Sequence, residues 1–414
     1  MPNVTVVGVG GSIINIEIDS AQNAEIAQTL LNVLSQEIRD NTITPFTYDG
    51  IGPLGAPKGL NDAIITGPGF VDLPATTRDV IDIAKGPVVV EGGSAPEQLV
   101  VADGPSPITY ITNTGSGTVI ASGGGDTIEE LSGGDHLILT DDGGNDILAL
   151  AGNDTIGAGP GDNTVVAGSG NDVILVTGKD DITLGSGDDT VDVESGSAVV
   201  HAGSGDLLFI NATGSSTVFG GSGSATLEGG AGGGVYYGGA AGNNFLLTGT
   251  QATTLFGAGN GDQLFAVGSG NDLLVAGKGS ETLTGAGTGS ETLVGGRGSD
   301  VLTGGFGDNT FVVSNYDSTQ GGGHGHDHDH DHDRDRHGDH DHHGQHGGGA
   351  DTYTITDFVP GSDMVELKGF SQAELQDALA HQTHTDGGTT IKLGDNTTIT
   401  FVDVNHVSSS WFNT

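Results

Sequence analysis

A nine-residue pattern runs from Asp126 to Phe311 and restricts this chain more than any other feature. Its clearest copies read GSGNDVIL at residues 168–175, GSGNDLLV at 268–275 and GGRGSDVLT at 295–303, each a glycine-rich turn, an acid and a short apolar run. With the acid set at position six, position eight is apolar throughout, from Ile128, Leu137, Leu148 and Ile156 through Val218 and Leu264 to Leu302 and Phe311. One apolar residue in nine cannot make an amphipathic helix, whose apolar positions recur three and four residues apart. It suits a parallel β-coil in which each short strand points one side chain inward and stacks on the strand two repeats later. Such a repeat buries nothing alone, so neighbours must stack to make a core. The 21 copies give about ten coils and, at roughly 4.8 Å per strand, a rod on the order of 50 Å long.

The turns carry the chemistry. Position six holds Asp126, Asp135, Asp146, Asp154, Asp172, Asp180 and Asp189, then Asp262, Asp272 and Asp300, with Glu281 and Glu291 stacked among the second group. Glycine permits positive φ and leaves carbonyl oxygens facing into a turn. Carboxylates and carbonyls are hard oxygen ligands, which favour calcium over softer metals. Between them the acid slot empties to Ala198, Leu207, Ser216, Ala225, Gly234, Asn244 and Thr253 while the apolar slot persists. Calcium is therefore expected in two clusters around a calcium-poor middle. Asp135, Asp154, Asp172 and Asp189 are expected to form the unbroken ladder, opposite Asp126, Asp146, Asn163 and Asp180. A disordered Gly/Ser/Asp linker would not keep the apolar slot intact.

The pattern GGxGxDxUx resembles the nonapeptide of the RTX (repeats-in-toxin) family, and the resemblance covers about half of the chain. It implies a parallel β-roll that binds several Ca²⁺ ions between successive turns. It also implies export by a type I secretion apparatus that reads an uncleaved C-terminal signal. The closing VSSSWFNT, small, polar and apolar, is similar in character to such tails.

Four regions follow. Residues 1–86 lack the repeat and read as a small α+β cap or docking domain, with a strand at 12–19 and a helix at 21–38 that places Ile26, Leu30, Val33, Leu34 and Ile38 on one face. The VVGVGG at 6–11 precedes a strand rather than a helix, which argues against nucleotide binding. Residues 87–313 form the solenoid, opened by the apolar runs VVV, LVV and ITYI at 88–90, 99–101 and 108–111. Residues 314–350 contain an alternating His/Asp tract that is expected to be disordered. Its imidazoles, His326, His328, His330 and His332 among them, are candidate ligands for Zn²⁺ or Ni²⁺. Residues 351–414 carry a capping box at Ser371 and Glu374, a helix, and a hairpin around GDN. The fold class is thus all-β, a β-solenoid with an α+β cap and a β-rich C-terminal segment.

The net charge of −43, with only 11 Lys and Arg in 414 residues, argues against nucleic acid or an anionic membrane as partner. It also makes the cation-free chain repel itself. No cysteine is present, so disulfides and thiol chemistry are excluded. No 18-residue apolar run spans a membrane, and MPNVTVVGVGG is unlike a Sec leader. HExxH and GxSxG are absent. The expectation is a secreted, non-catalytic protein folded by extracellular calcium and serving as a surface, matrix or adhesion component. An S-layer or filament subunit built by self-assembly is the second reading, and transition-metal sequestration by the His tract the third.

Overall fold

In a computed structural model, the described residues are 2–18, 20–51, 54–92, 98–102, 106–112, 115–131, 133–315 and 350–414. The His326, His328, His330 and His332 tract lies outside them.

Two parallel sheets face each other, and the chain passes alternately from one to the other. The first sheet begins with Thr44–Tyr48, Asn61–Ile65, Thr77–Asp82 and Gln98–Ala102 and runs to Thr352–Ile355 and Thr398–Val402. Among the described residues the second has 16 strands, from Gly69–Asp72 to Phe412–Asn413. At roughly 4.8 Å per step, that sheet is about 70 Å long, more than the repeats alone would give. Partners lie two repeats apart as anticipated, with Ile156 beside Ile174 and Val165 beside Ile182.

The apolar slot builds the core. Ile128, Val165, Ile174, Val218, Leu264, Leu302 and Phe311 are all fully buried. Two positions correct the sequence phase: Leu137 and Leu148 are only half-buried, and Ile138 and Ile147 take the inward places. Turns between strands stack backbone on backbone. At Gly170, whose φ is 137°, a Cβ would lie 1.5 Å from the Gly152 carbonyl oxygen, so no side chain fits there.

The domain boundaries at 86/87 and 350/351 are also corrected. Parallel pairing starts at Thr44, well inside residues 1–86, because Asn61–Ile65 is buried along its whole length and needs sheet on both sides. Beyond the His tract, Met364–Lys368 pairs directly with Thr310–Ser314, and Thr352–Ile355 pairs with Arg297–Thr303, so the C-terminal segment continues the same two sheets. Helix α1 (Ala21–Arg39) and the hairpin Asn3–Val7/Ile13–Glu17 form the remaining N-terminal unit. The buried face of α1 is Ala24, Ala27, Leu31 and Leu34, while Val33 turns to solvent.

That unit does not simply close the first coil. It packs along the outer face of the first sheet, sharing an apolar cluster with Ile81, Val101 and Ile120. Asp141 anchors its far end by accepting from Ser20 N at 3.1 Å and Asn23 Nδ2 at 2.6 Å. At the other end of the solenoid, helix α2 (Gln372–Ala380) opens on the anticipated capping box, and Gly388–Lys392 and Thr398–Val402 form the anticipated hairpin. Phe358, Phe401 and Trp411 close that end in one aromatic cluster, with ring centroids 4.9–6.0 Å apart.

Candidate metal centres

In the acid-bearing coils, the residue two places before the inward apolar side chain lies in the turn and is itself buried. Where it is Asp, Asn or Glu, a side-chain oxygen accepts the backbone N–H of the equivalent residue one coil earlier. On the first-sheet side the column runs His136, Asp154, Asp172, Asp189: His136 N donates to Asp154 Oδ1 at 2.7 Å, Asp154 N to Asp172 Oδ1 at 2.8 Å and Asp172 N to Asp189 Oδ1 at 2.9 Å. On the second-sheet side it runs Asp126, Asn145, Asn163, Asp180, with bonds of 3.0, 3.0 and 3.2 Å.

Asp135 and Asp146 therefore do not occupy the slot. Both are exposed, and His136 and Asn145 stand in the buried places. The cause is the apolar phase: burial fixes Ile138 and Ile147, and the turn shifts by one residue to suit. Asp135 instead heads an exposed outer column. Its Oδ1 accepts from Asn153 N at 2.8 Å, and Asn153, Asn171, Asp188 and Asp206 repeat the contact coil by coil.

The emptied middle is as anticipated, with Ala198, Leu207, Ser216, Ala225 and Thr253 buried in the slot. Acids then return. Asn244 N donates to Asp262 Oδ1, Glu281 N to Asp300 Oδ1, Asp272 N to Glu291 Oε2 and Glu291 N to Asn309 Oδ1, at 2.8–3.1 Å. The last column extends further than expected, because Asn309 N donates to Asp363 Oδ1 at 2.9 Å. Asp363 is buried, and the signal was present: GSDMV at 361–365 has the same phase as GSDVL at 298–302.

The second oxygens decide which acids have a lone pair to offer. Asp126 Oδ2 and Asp154 Oδ2 are buried with no hydrogen-bond partner. Asp262 Oδ2 accepts from Ala258 N and Gly259 N, Asp180 Oδ2 from Gly178 N, and Asp272 Oδ2 from Thr248 Oγ1, so those groups have fewer lone pairs to offer. An ionised carboxylate buried without a donor or a cation is costly. Burial accordingly pushes Asp126 and Asp172 up to about 6 and Glu291 up to about 7. Burial and the facing Asp300 push Glu281 up to about 8. Asp180, Asp189, Asp272, Asp300 and Asp363 are also raised, by burial first. Spare carboxylate oxygens in rigid turns are the hard donors that suit a divalent oxygen-seeking cation.

Four segments match the family model of the RTX calcium-binding nonapeptide repeat, residues 139–174, 176–206, 257–287 and 285–314. The chain carries RTX calcium-binding repeats. No curated protein and no solved structure matches it significantly. The matched parts of the RTX array leave 207–256 between them, the stretch where the buried slot holds no acid before Asp262. The unmatched stretch lies within the acid-poor middle, which begins at Ala198, while both sheets continue through it. Among the described residues, no helix is long and apolar enough to cross a membrane.

Proposed function

We propose that this RTX protein is exported to a calcium-rich exterior and completes its folding there, as a non-catalytic surface or matrix component. The observation that carries the reading is the pair of buried acid columns, whose spare oxygens and raised pKa values leave an energetic deficit that calcium would remove. Asp126, Asp154, Asp172, Asp180 and Asp189 are the ligands assigned to the first cluster, and Asp262, Asp272, Glu281, Glu291, Asp300 and Asp363 to the second. Extracellular modules of this kind hold calcium with Kd on the order of 10⁻⁴ to 10⁻³ M. At tenfold excess over Kd, each occupied site adds about 1.4 kcal/mol. A handful of sites then contributes as much as the whole stability of an ordinary domain, and the calcium-poor cytosol supplies none of it.

The C-terminal residues support a type I export signal by resemblance in character, and they also finish the fold: Phe412–Asn413 adds a short strand beside Val365 and Glu366. Circular dichroism in chelator and in millimolar calcium tests the reading. Strand content should rise on adding calcium, and equal spectra would overturn it.

A second reading, assembly into a lattice or filament, is favoured by one feature of the acid-poor middle. His201, Phe219, Tyr237 and Phe256 stack on the outer face of the second sheet, with ring centroids 4.6–5.0 Å apart and planes within 6°. Phe219 is 37 % exposed. Electron microscopy of the calcium-loaded protein separates the readings, since single rods support the first and ordered arrays the second. For the His tract, Zn²⁺ or Ni²⁺ binding is proposed on composition alone.

A further inference from the structure

His136 breaks the chemistry of its column. Where the three coils after it put Asp154, Asp172 and Asp189, this one puts an imidazole, 5 % exposed, at the start of His136–Thr140. Glu130 ends the preceding strand, Thr127–Glu130, and points back toward the same turn, while Asp154 belongs to the coil after. Among the described residues, Glu130, His136 and Asp154 are a group whose ligand atoms all lie within 4.8 Å of one another, and all three are buried.

The geometry around one nitrogen is informative. His136 Nδ1 faces three oxygens: Gly134 O at 3.0 Å, Asp154 Oδ1 at 3.5 Å and Glu130 Oε1 at 3.9 Å. A single N–H serves one of them well. Four donors around a tetrahedral cation with bonds of about 2.0–2.2 Å are separated by roughly 3.3–3.6 Å, and these distances bracket that edge. The Glu130 carboxylate is already held, since its Oε2 accepts from Leu150 N at 3.2 Å and Ala151 N at 3.4 Å. Asp154 Oδ2, on the same carboxylate, is buried without a partner.

We propose that Glu130, His136 and Asp154, with the Gly134 carbonyl, form a binding site for a borderline divalent cation of the zinc class, which shares the Asp154 carboxylate with the first calcium cluster and is distinct from the His tract. A neutral imidazole and two carboxylates carry two negative charges, which a divalent ion neutralises. Mixed nitrogen and oxygen donors favour zinc-like ions, whereas calcium selects oxygen alone. A cleft of about 710 Å³ under α1 is lined by Asp135, His136 and Asn153 and gives a route in from solvent.

The competing arrangement is a metal-free ion triad with His136 protonated. Burial disfavours the imidazolium, but the hydrogen bond it donates to Asp154 and the charge of Glu130 outweigh it and raise the His136 pKa. Equilibrium dialysis of the full chain against Zn²⁺, in saturating calcium, separates the two. Wild type should bind one Zn²⁺ per chain more than H136Q or E130Q, and zinc should raise its Tm where it leaves the Tm of the variants unchanged. H136D restores the acid of the repeat and guards against misfolding of H136Q: it should lose the one zinc and keep a cooperative calcium transition. The His tract is intact in every protein and contributes equally. Equal zinc stoichiometry and equal zinc-induced Tm shifts in wild type and H136D would overturn the site.

Discussion

The backbone N–H of Asp154 donates to Asp172 Oδ1 at 2.8 Å, so each carboxylate of the column fastens the turn of the coil before it. Asp172→Ala would remove an acceptor from a buried amide as well as a candidate calcium ligand. The unsatisfied amide alone costs about 1–3 kcal/mol. The variant should show a lower denaturation midpoint even in chelator, and a larger loss once calcium is present. Asp206→Ala, in the exposed outer column, should fall within about 0.5 kcal/mol of wild type. Equal losses in the two variants would contradict the distinction between inner and outer columns.

Asp135 and Asp146 test the corrected phase. Both are exposed, so Asp135→Ala and Asp146→Ala should move the calcium midpoint less than twofold in a titration followed by circular dichroism. Asp154→Ala, one coil along from Asp135, should move it several-fold and also more than Glu281→Ala. A loss at Asp135 as large as at Asp154 would restore the phase read from the acids.

Without calcium, the acid slots should make the fold sensitive to alkali. Asp126 and Asp172 lie near 6, Glu291 near 7 and Glu281 near 8 in the folded chain, all above the usual carboxylate range. The folded state therefore holds more protons than the unfolded chain between about pH 4 and pH 8, and stability falls as pH rises through that window. Urea midpoints in chelator should be higher at pH 5.5 than at pH 8. Saturating calcium binds the ionised form and should abolish or reverse the trend. A chelated protein equally stable at both pH values would refute the raised pKa values.

Asp363→Ala should weaken the second calcium cluster although it lies beyond the His tract, because Asp363 accepts from both Asn309 N and Val359 N. Comparing its calcium stoichiometry with wild type by dialysis checks this, and an unchanged count would leave Asp363 a structural group only.

Truncation after Phe370 should do more than remove an export signal. It deletes Thr398–Val402, which pairs with Thr352–Ile355, and with it Phe401 and Trp411. The end of the solenoid is then an open edge. The shortened chain should lose several degrees of Tm in calcium, as well as type I export. An unchanged melting curve would mean that the terminal cluster contributes nothing to the coils.

The apolar slot was legible because one inward side chain per strand is a packing requirement that sequence cannot relax without opening the core. The acid slot was less so. In GGDHLIL and GGNDILAL the acid is not two residues before the buried side chain, and counting back from Ile138 and Ile147, rather than forward from Asp135 and Asp146, gives the right register. The coils before residue 87 were missed for a different reason. Their turns lack the acid and the spacing of the nonapeptide, and Asn61–Ile65 is buried at every position, so no period of two marks it as a strand. Glu130 and His136 belong to different strands, and His136 fills the acid slot with a residue the repeat does not use there. Only the folded turn brings them together.

The inner column has a direction. Within each acid cluster the buried amides are satisfied by the coil that follows, and the last of these series ends at Asp363, whose own N–H turns back to Val359 O at 2.9 Å. Laid down from the C-terminal end, every added coil would find its acceptor waiting and close a buried bond on arrival. Laid down from the N-terminal end, each new turn would bury a bare amide until its successor came. The outer column points the other way, but water serves its exposed groups. The rod therefore has a preferred end from which to grow, and that end is the one that carries the tail.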